Sequence, residues 1–217
     1  MTGSAAAVGM PRSICLAQIV GITAPAIYTS ERCCLPLFEL FTDNAGLTFA
    51  YSHMVVPPIV AHAPEKLLAK QWLQAYQQGP TFVPPLIISG TLSNAYLAYS
   101  AHTLGTRLLY SSAATLVFCI IPWTLFVFEP RINGSGKWKV QKLLQDDGYN
   151  MPMQKELFPS PHVHTATPEA KKWADSVTMK DIAQVWAQRN RWRYIATGCA
   201  MTMSAVATYR WLSGPLR

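Results

Sequence analysis

The sequence predicts an all-α fold, an integral membrane four-helix bundle with a large polar loop before its last helix, and three observations point to it. Half of the 217 residues are hydrophobic and only 13% are charged, against roughly 25% in soluble domains. Apolar stretches of about twenty residues recur along the chain, the length needed to cross ~30 Å of hydrocarbon. Lys and Arg crowd into 131–193 and leave long upstream stretches almost uncharged. A water-facing surface needs more charge than that; lipid-facing helices do not.

The elements follow in order as a single membrane domain over 1–217. The first span comes in two pieces, about 14–28 and 46–61, because the polar and mixed residues between them interrupt one apolar stretch. Residues 82–101 and 108–128 are complete crossings. The turn between them holds little more than His102, Thr103, Gly105 and Arg107, which makes them an antiparallel hairpin. Residues 129–193 read as an extramembrane loop punctuated by Gly134, Gly136, Pro152, Pro159, Pro161 and Pro168. Within it 137–144 and 168–187 have helical spacing. In the latter Trp173, Val177, Ile182, Val185 and Trp186 form the apolar face of an amphipathic helix resting on the bundle. The last span, 194–212, is flanked by Arg189, Arg191 and Arg193 before it and by Arg210 and Trp211 near its far end, as interfacial anchors are.

The net charge of +7 does not indicate nucleic acid, since the cations lie mainly between two apolar spans, where cytosolic loops carry them. Lys66, Lys70 and the 131–193 loop then share the cytosolic side. Asn133-Gly134-Ser135 matches a glycosylation acceptor and points the other way; the charges outweigh so common a tripeptide. The five cysteines, Cys15, Cys33, Cys34, Cys119 and Cys199, have neither disulfide nor zinc spacing. His162 and His164 sit in a Pro-rich stretch as a solvated loop pair, and no metal site is expected. An alternative reading of 14–28 is a signal peptide, with Arg12 ahead of a short apolar core and Ala24 and Ala26 near a cleavage point.

An ordered string of motifs resembles the anthrone oxygenases, small four-helix membrane proteins of fungal aromatic polyketide pathways. Ala45-Gly46, Ser52 and Val56-Pro57-Pro58 resemble that family's first span, and Gln71-Trp72, Tyr76 and Gly79 its following turn. Pro84-Pro85 and Leu97-Ala98-Tyr99 resemble the second span. Ile121-Pro122-Trp123-Thr124 and Glu129-Pro130-Arg131-Ile132-Asn133 resemble the end of the third; Trp186, Asn190 and Arg193 resemble the approach to the fourth. The sequence departs from the family where 30–45 splits the first span. Removing that stretch restores a span-length helix, so it reads as a retained intron, the competing reading being a lumenal insertion with Phe38, Leu40 and Phe41 facing lipid.

The resemblance implies oxidation of an anthrone CH2 to a quinone carbonyl by O2, with no cofactor. The substrate carbanion is delocalised enough to hand an electron to O2 directly, and the chain carries no dinucleotide, haem or 2-His-1-carboxylate pattern. Such a protein has to supply a dry apolar slot, a base near the CH2 and donors for the enolate oxygen. Polar residues inside or at the mouths of spans are the candidates. Expected as catalytic are His53, as base, with Asn94, Asn190 and Arg193; expected against the substrate are Trp123, Thr124 and Asn133, and Glu129 also stands at a mouth. The implied partners are an aromatic polyketide and the lipid bilayer, with the endoplasmic reticulum or another internal membrane as the location. The alternative is a non-catalytic scaffold or assembly partner whose polar residues only pair helices. A transporter would be expected to show an inverted repeat, and none is evident.

Overall fold

The computed structural model describes residues 11–29, 47–153, 160 and 162–213. The interruption read as an intron, with Cys33 and Cys34, lies outside the described residues. Those described are almost wholly helical; the one isolated bridge among them joins Met153 and His164.

Helix α1 is Arg12–Thr29. Helix α2, Leu47–Ala50, passes through a π-helical turn, Tyr51–Val55, into α3, Val56–His62. Helix α4, Glu65–Ser100, is followed after a short turn by α5, Leu104–Phe118, and α6, Ile120–Trp123. A π-helical segment, Thr124–Asn133, then leads into α7, Gly134–Leu144, and a 3-10 turn, Gln145–Asp147. Helix α8 is Pro168–Ser176 and α9 is Met179–Ser213.

Four helical stretches make a ring: α1 packs on α4 and α9, and α5 packs on the same two from the opposite side. The bundle uses the second halves of α4 and α9. Its interior is built of small residues, with Ala17, Ala98, Ala113, Ala200, Ser204 and Ala207 all buried, which lets backbones approach closely. Its exterior is apolar: Leu16, Leu92, Leu104 and Tyr209 are each more than 60% exposed. One run among the described residues, Leu104–Asp147, is long and apolar enough to cross a membrane; Arg12–Ala24 is a shorter apolar helix. The other expected crossings do not reach that length and hydropathy among the described residues; three of the polar residues in them, Asn94, Thr197 and Ser204, are buried in the bundle.

The polar end is more ordered than the sequence suggested. The turn expected at 71–79 is helix, because Leu68, Ala69, Trp72 and Leu73 bury one face in a core with Val140, Leu144, Met179 and Trp186. The loop expected from 129 to 193 is largely helix for the same reason. Gly134 and Gly136 do not break it: they lie inside α7, where a Cβ would meet the Ala166 backbone at 2.7 Å and the Trp72 ring at 2.3 Å respectively. The single helix expected over 168–187 is instead two. Thr178 and Asp181 cap each other's backbone N–H groups, at 2.9 and 3.2 Å, and restart the chain as α9. The Glu65 carboxylate accepts from Met179 N at 2.7 Å and ties that start to the start of α4.

Candidate functional site

A cavity of about 370 Å³ lies where the bundle meets the polar layer, a size typical of small-molecule sites. Its lining includes the apolar residues Val83, Pro84, Ile87, Ile120, Ile121 and Leu125. It also includes the polar groups Tyr76, Thr124, Glu129, Asn133, Asn190 and Arg193, with Trp186. Helix α4 supplies much of the wall through Gly79, Pro80 and Pro84. Prolines 80, 84 and 85 inside this helix each withdraw one N–H, so the carbonyls of Tyr76, Pro80 and Thr81 lose their helical donors. A Cβ on Gly79 would meet nothing within 4 Å.

Glu129 is 3% exposed and is held by donors from three elements. Tyr76 Oη on α4 donates to its two oxygens at 2.9 and 3.0 Å. Lys137 Nζ on α7 lies 2.5 Å from Oε1, Asn133 Nδ2 donates to Oε2 at 2.6 Å, and Thr165 Oγ1 donates to Oε1 at 3.0 Å. Isolated, a carboxylate in such a wall would be costly; paired and fully bonded, it persists. Burial, then the neighbouring carboxylate, holds the Tyr76 hydroxyl well above its ordinary value near 10, so it acts as a neutral donor. Burial also pulls the Lys137 ammonium below its ordinary 10.5, against the opposing charge of Glu129.

Asn133 spends its other end on Trp186, whose Nε1 donates to Oδ1 at 3.0 Å. Both ends of this side chain are therefore occupied, and at 3% exposure it is closed to a glycosylating enzyme in the folded protein. Trp72 stacks on Tyr76 with ring centroids 5.5 Å apart and meets Trp186 edge-on at 6.1 Å. The donors around Glu129 are thus fixed by packing as well as by hydrogen bonds.

Asn190 and Arg193 stand one helical turn apart on α9. Arg193 donates from one terminal nitrogen to Thr124 Oγ1 at 3.0 Å, and its guanidinium lies 4.6 Å over the Phe128 ring. Its Nε is buried without a partner, and so is Oδ1 of Asn190, which is 1% exposed. Of eight such orphaned side-chain atoms among the described residues, these are the two that belong to the cavity wall.

Four of the expected site residues, Thr124, Asn133, Asn190 and Arg193, therefore meet at one cavity, and three do not line it. His53 is exposed beside Phe49, and its Nε2 pairs with Tyr194 Oη at 3.0 Å. Asn94 is locked in the bundle core: its Nδ2 donates to the carbonyls of Gly21 and Gly90 at 3.0 and 2.9 Å, and its Oδ1 accepts from Ser204 at 2.6 Å. Trp123 is 49% exposed and leans edge-on against Trp192.

Sequence reasoning missed Lys137 and Thr165, and it saw Tyr76 only as part of a motif. Among the described residues no three His, Cys, Asp or Glu side chains could together hold a metal ion. His164 is buried against Trp138, with ring centroids 5.3 Å apart.

The family model described as anthrone oxygenase matches residues 72–203, a segment that includes every cavity residue named above. A protein of Aspergillus fumigatus named anthrone oxygenase is 35% identical over 63 residues, 29% of this chain and 35% of that protein. The alignment thus spans about a third of that curated relative. No solved structure matches the chain.

Proposed function

Since the chain belongs to the anthrone oxygenase family, we propose that it oxidises a polyketide-derived anthrone to the anthraquinone with O2, with no cofactor, inside a membrane-embedded four-helix bundle. The observation that carries this reading is the cavity, whose apolar lining suits a flat ring system and whose wall also holds one carboxylate, one guanidinium and their hydrogen-bond partners. Apolar burial supplies the affinity for such a ligand, and the few polar groups supply its orientation.

Glu129 is the base in this reading, in place of His53, which does not line the cavity. Its bonds to Lys137, Asn133, Tyr76 and Thr165 hold it in place in an apolar wall. The Tyr76 and Thr165 hydroxyls can turn from donor to acceptor, so the carboxyl can hold a proton without stranding its neighbours. Arg193 stabilises the enolate oxygen left when the CH2 loses its proton. The delocalised anion then passes one electron to O2; the carbon radical and superoxide join, and the resulting hydroperoxide loses water. Both hydrogens of the CH2 leave in that water, one oxygen atom becomes the new carbonyl, and the two electron pairs of the broken C–H bonds reduce O2.

The apolar exterior of the bundle supports a multi-pass position in an internal membrane such as the endoplasmic reticulum, with the Lys-rich polar end in the cytosol. The test uses the purified chain in detergent, with an anthrone and O2. Glu129→Gln and Arg193→Ala are expected to lower quinone formation by about a hundredfold or more. Wild-type quinone formation no faster than the spontaneous reaction overturns the proposal.

A further inference from the structure

We propose that the cavity exchanges its ligand sideways with the bilayer, through a mouth on α4 rimmed by Pro80, Pro84 and Ile88. Of the described residues that line the cavity, these three are the exposed ones; the rest are buried or half-buried. A residue that touches a cavity and is also open to the outside stands on its rim. The three are spaced four apart on one helix, so they form a single ridge.

The same ridge continues along α4 to Leu92 and Tyr96 and stays apolar and open, Ile88 being 50%, Leu92 64% and Tyr96 41% exposed. Between Lys70 and Arg107 the chain has no Asp, Glu, Lys or Arg. A face turned to water carries some charge; a face turned to acyl chains does not. The charged groups of the wall are less exposed than the rim, Glu129 being buried and Arg193 half-buried. The two prolines suit an opening, since a pyrrolidine ring has no long side chain to swing across it. Such an entrance takes an uncharged, lipophilic ring compound already dissolved in the membrane. It rejects an anionic conjugate, because charge is costly to carry through hydrocarbon.

This route rests on the membrane-embedded reading of the bundle, and the experiment separates it from the oxygenase reading. The full chain is reconstituted in phosphatidylcholine nanodiscs with either of two photoreactive probes. One is benzophenone fixed to a phospholipid acyl chain, which cannot leave the bilayer; the other is benzophenone sulfonate, which stays in water. Labelled residues are read by mass spectrometry. The tethered probe is expected to label Ile120 and Trp186, which line the cavity and are buried, at least about tenfold more than the sulfonate does. Ile88→Trp, which fills the rim, is expected to lower that labelling at least about tenfold. Leu92→Trp, one turn further along the ridge and outside the cavity wall, is expected to leave it unchanged.

Failure of the tethered probe to label the two buried residues, or equal labelling by both probes, overturns the sideways route and requires no variant. So does labelling by the tethered probe that Ile88→Trp leaves intact. Labelling by the tethered probe alone, in a protein that does not oxidise an anthrone, upholds the route and overturns the oxygenase reading. Oxidation by a protein whose cavity is labelled only from water does the reverse.

Discussion

The Lys137 ammonium lies 2.5 Å from the Glu129 carboxylate, and neither side chain is more than 4% exposed. Removing one partner of such a pair strands the other charge, which costs about 3–5 kcal/mol. Lys137→Met is therefore expected to destabilise the protein by that amount in denaturation measured in detergent. Lys137→Met combined with Glu129→Gln is expected to recover most of the loss. A single variant as stable as the wild type would contradict the pairing.

Gly79 lines the cavity, and a side chain there would grow into open space. Gly79→Phe should fill the ligand volume while adding helix propensity, a gain of up to about 1 kcal/mol. Quinone formation is expected to fall at least about tenfold while the melting temperature holds or rises. Undiminished turnover by the Phe variant would show that the ligand lies elsewhere.

Gly136 approaches Trp72 so closely that a Cβ would sit 2.3 Å from the indole. The ring cannot yield freely, because it stacks on Tyr76 and abuts Trp186. Gly136→Ala is expected to cost about 1–3 kcal/mol and to slow catalysis by shifting Tyr76 against Glu129. Thermal denaturation together with kcat would detect both effects.

Burial, and after it the nearby charges of Lys171 and Lys137, hold the His164 imidazole below its ordinary value near 6.5. The unfolded chain thus binds the proton more readily than the folded one. Stability attributable to this group is present above the ordinary value and declines as pH falls from there through the folded value. Between about pH 7 and pH 5, the melting temperature of His164→Phe should drop less than that of the wild type; parallel curves would remove the histidine from the account.

The hairpin of α4 and α5 is plain in the sequence because 82–101 and 108–128 are largely apolar runs of helix length with a very short turn between them. The full length of α9 is not. Arg189, Arg191 and Arg193 look like the edge of a membrane span, and only tertiary packing of Met179, Ile182 and Ala183 carries the helix through them. Asn190 and Arg193 were legible as site candidates because polar groups beside apolar spans are rare. Lys137 was not, since nothing local separates a lysine that is 0% exposed from the solvated ones around it. Asn94 misled for a related reason: a lone amide in an apolar helix looks the same whether it meets a ligand or, as here, the Gly21 carbonyl.

Helices α4 and α9, of 36 and 35 residues, run through both layers and tie them together. Of the two only α4 is interrupted by proline, at 80, 84 and 85 beside the cavity, so the wall bends most readily there. Val83 and its neighbours are the side chains that such bending displaces first.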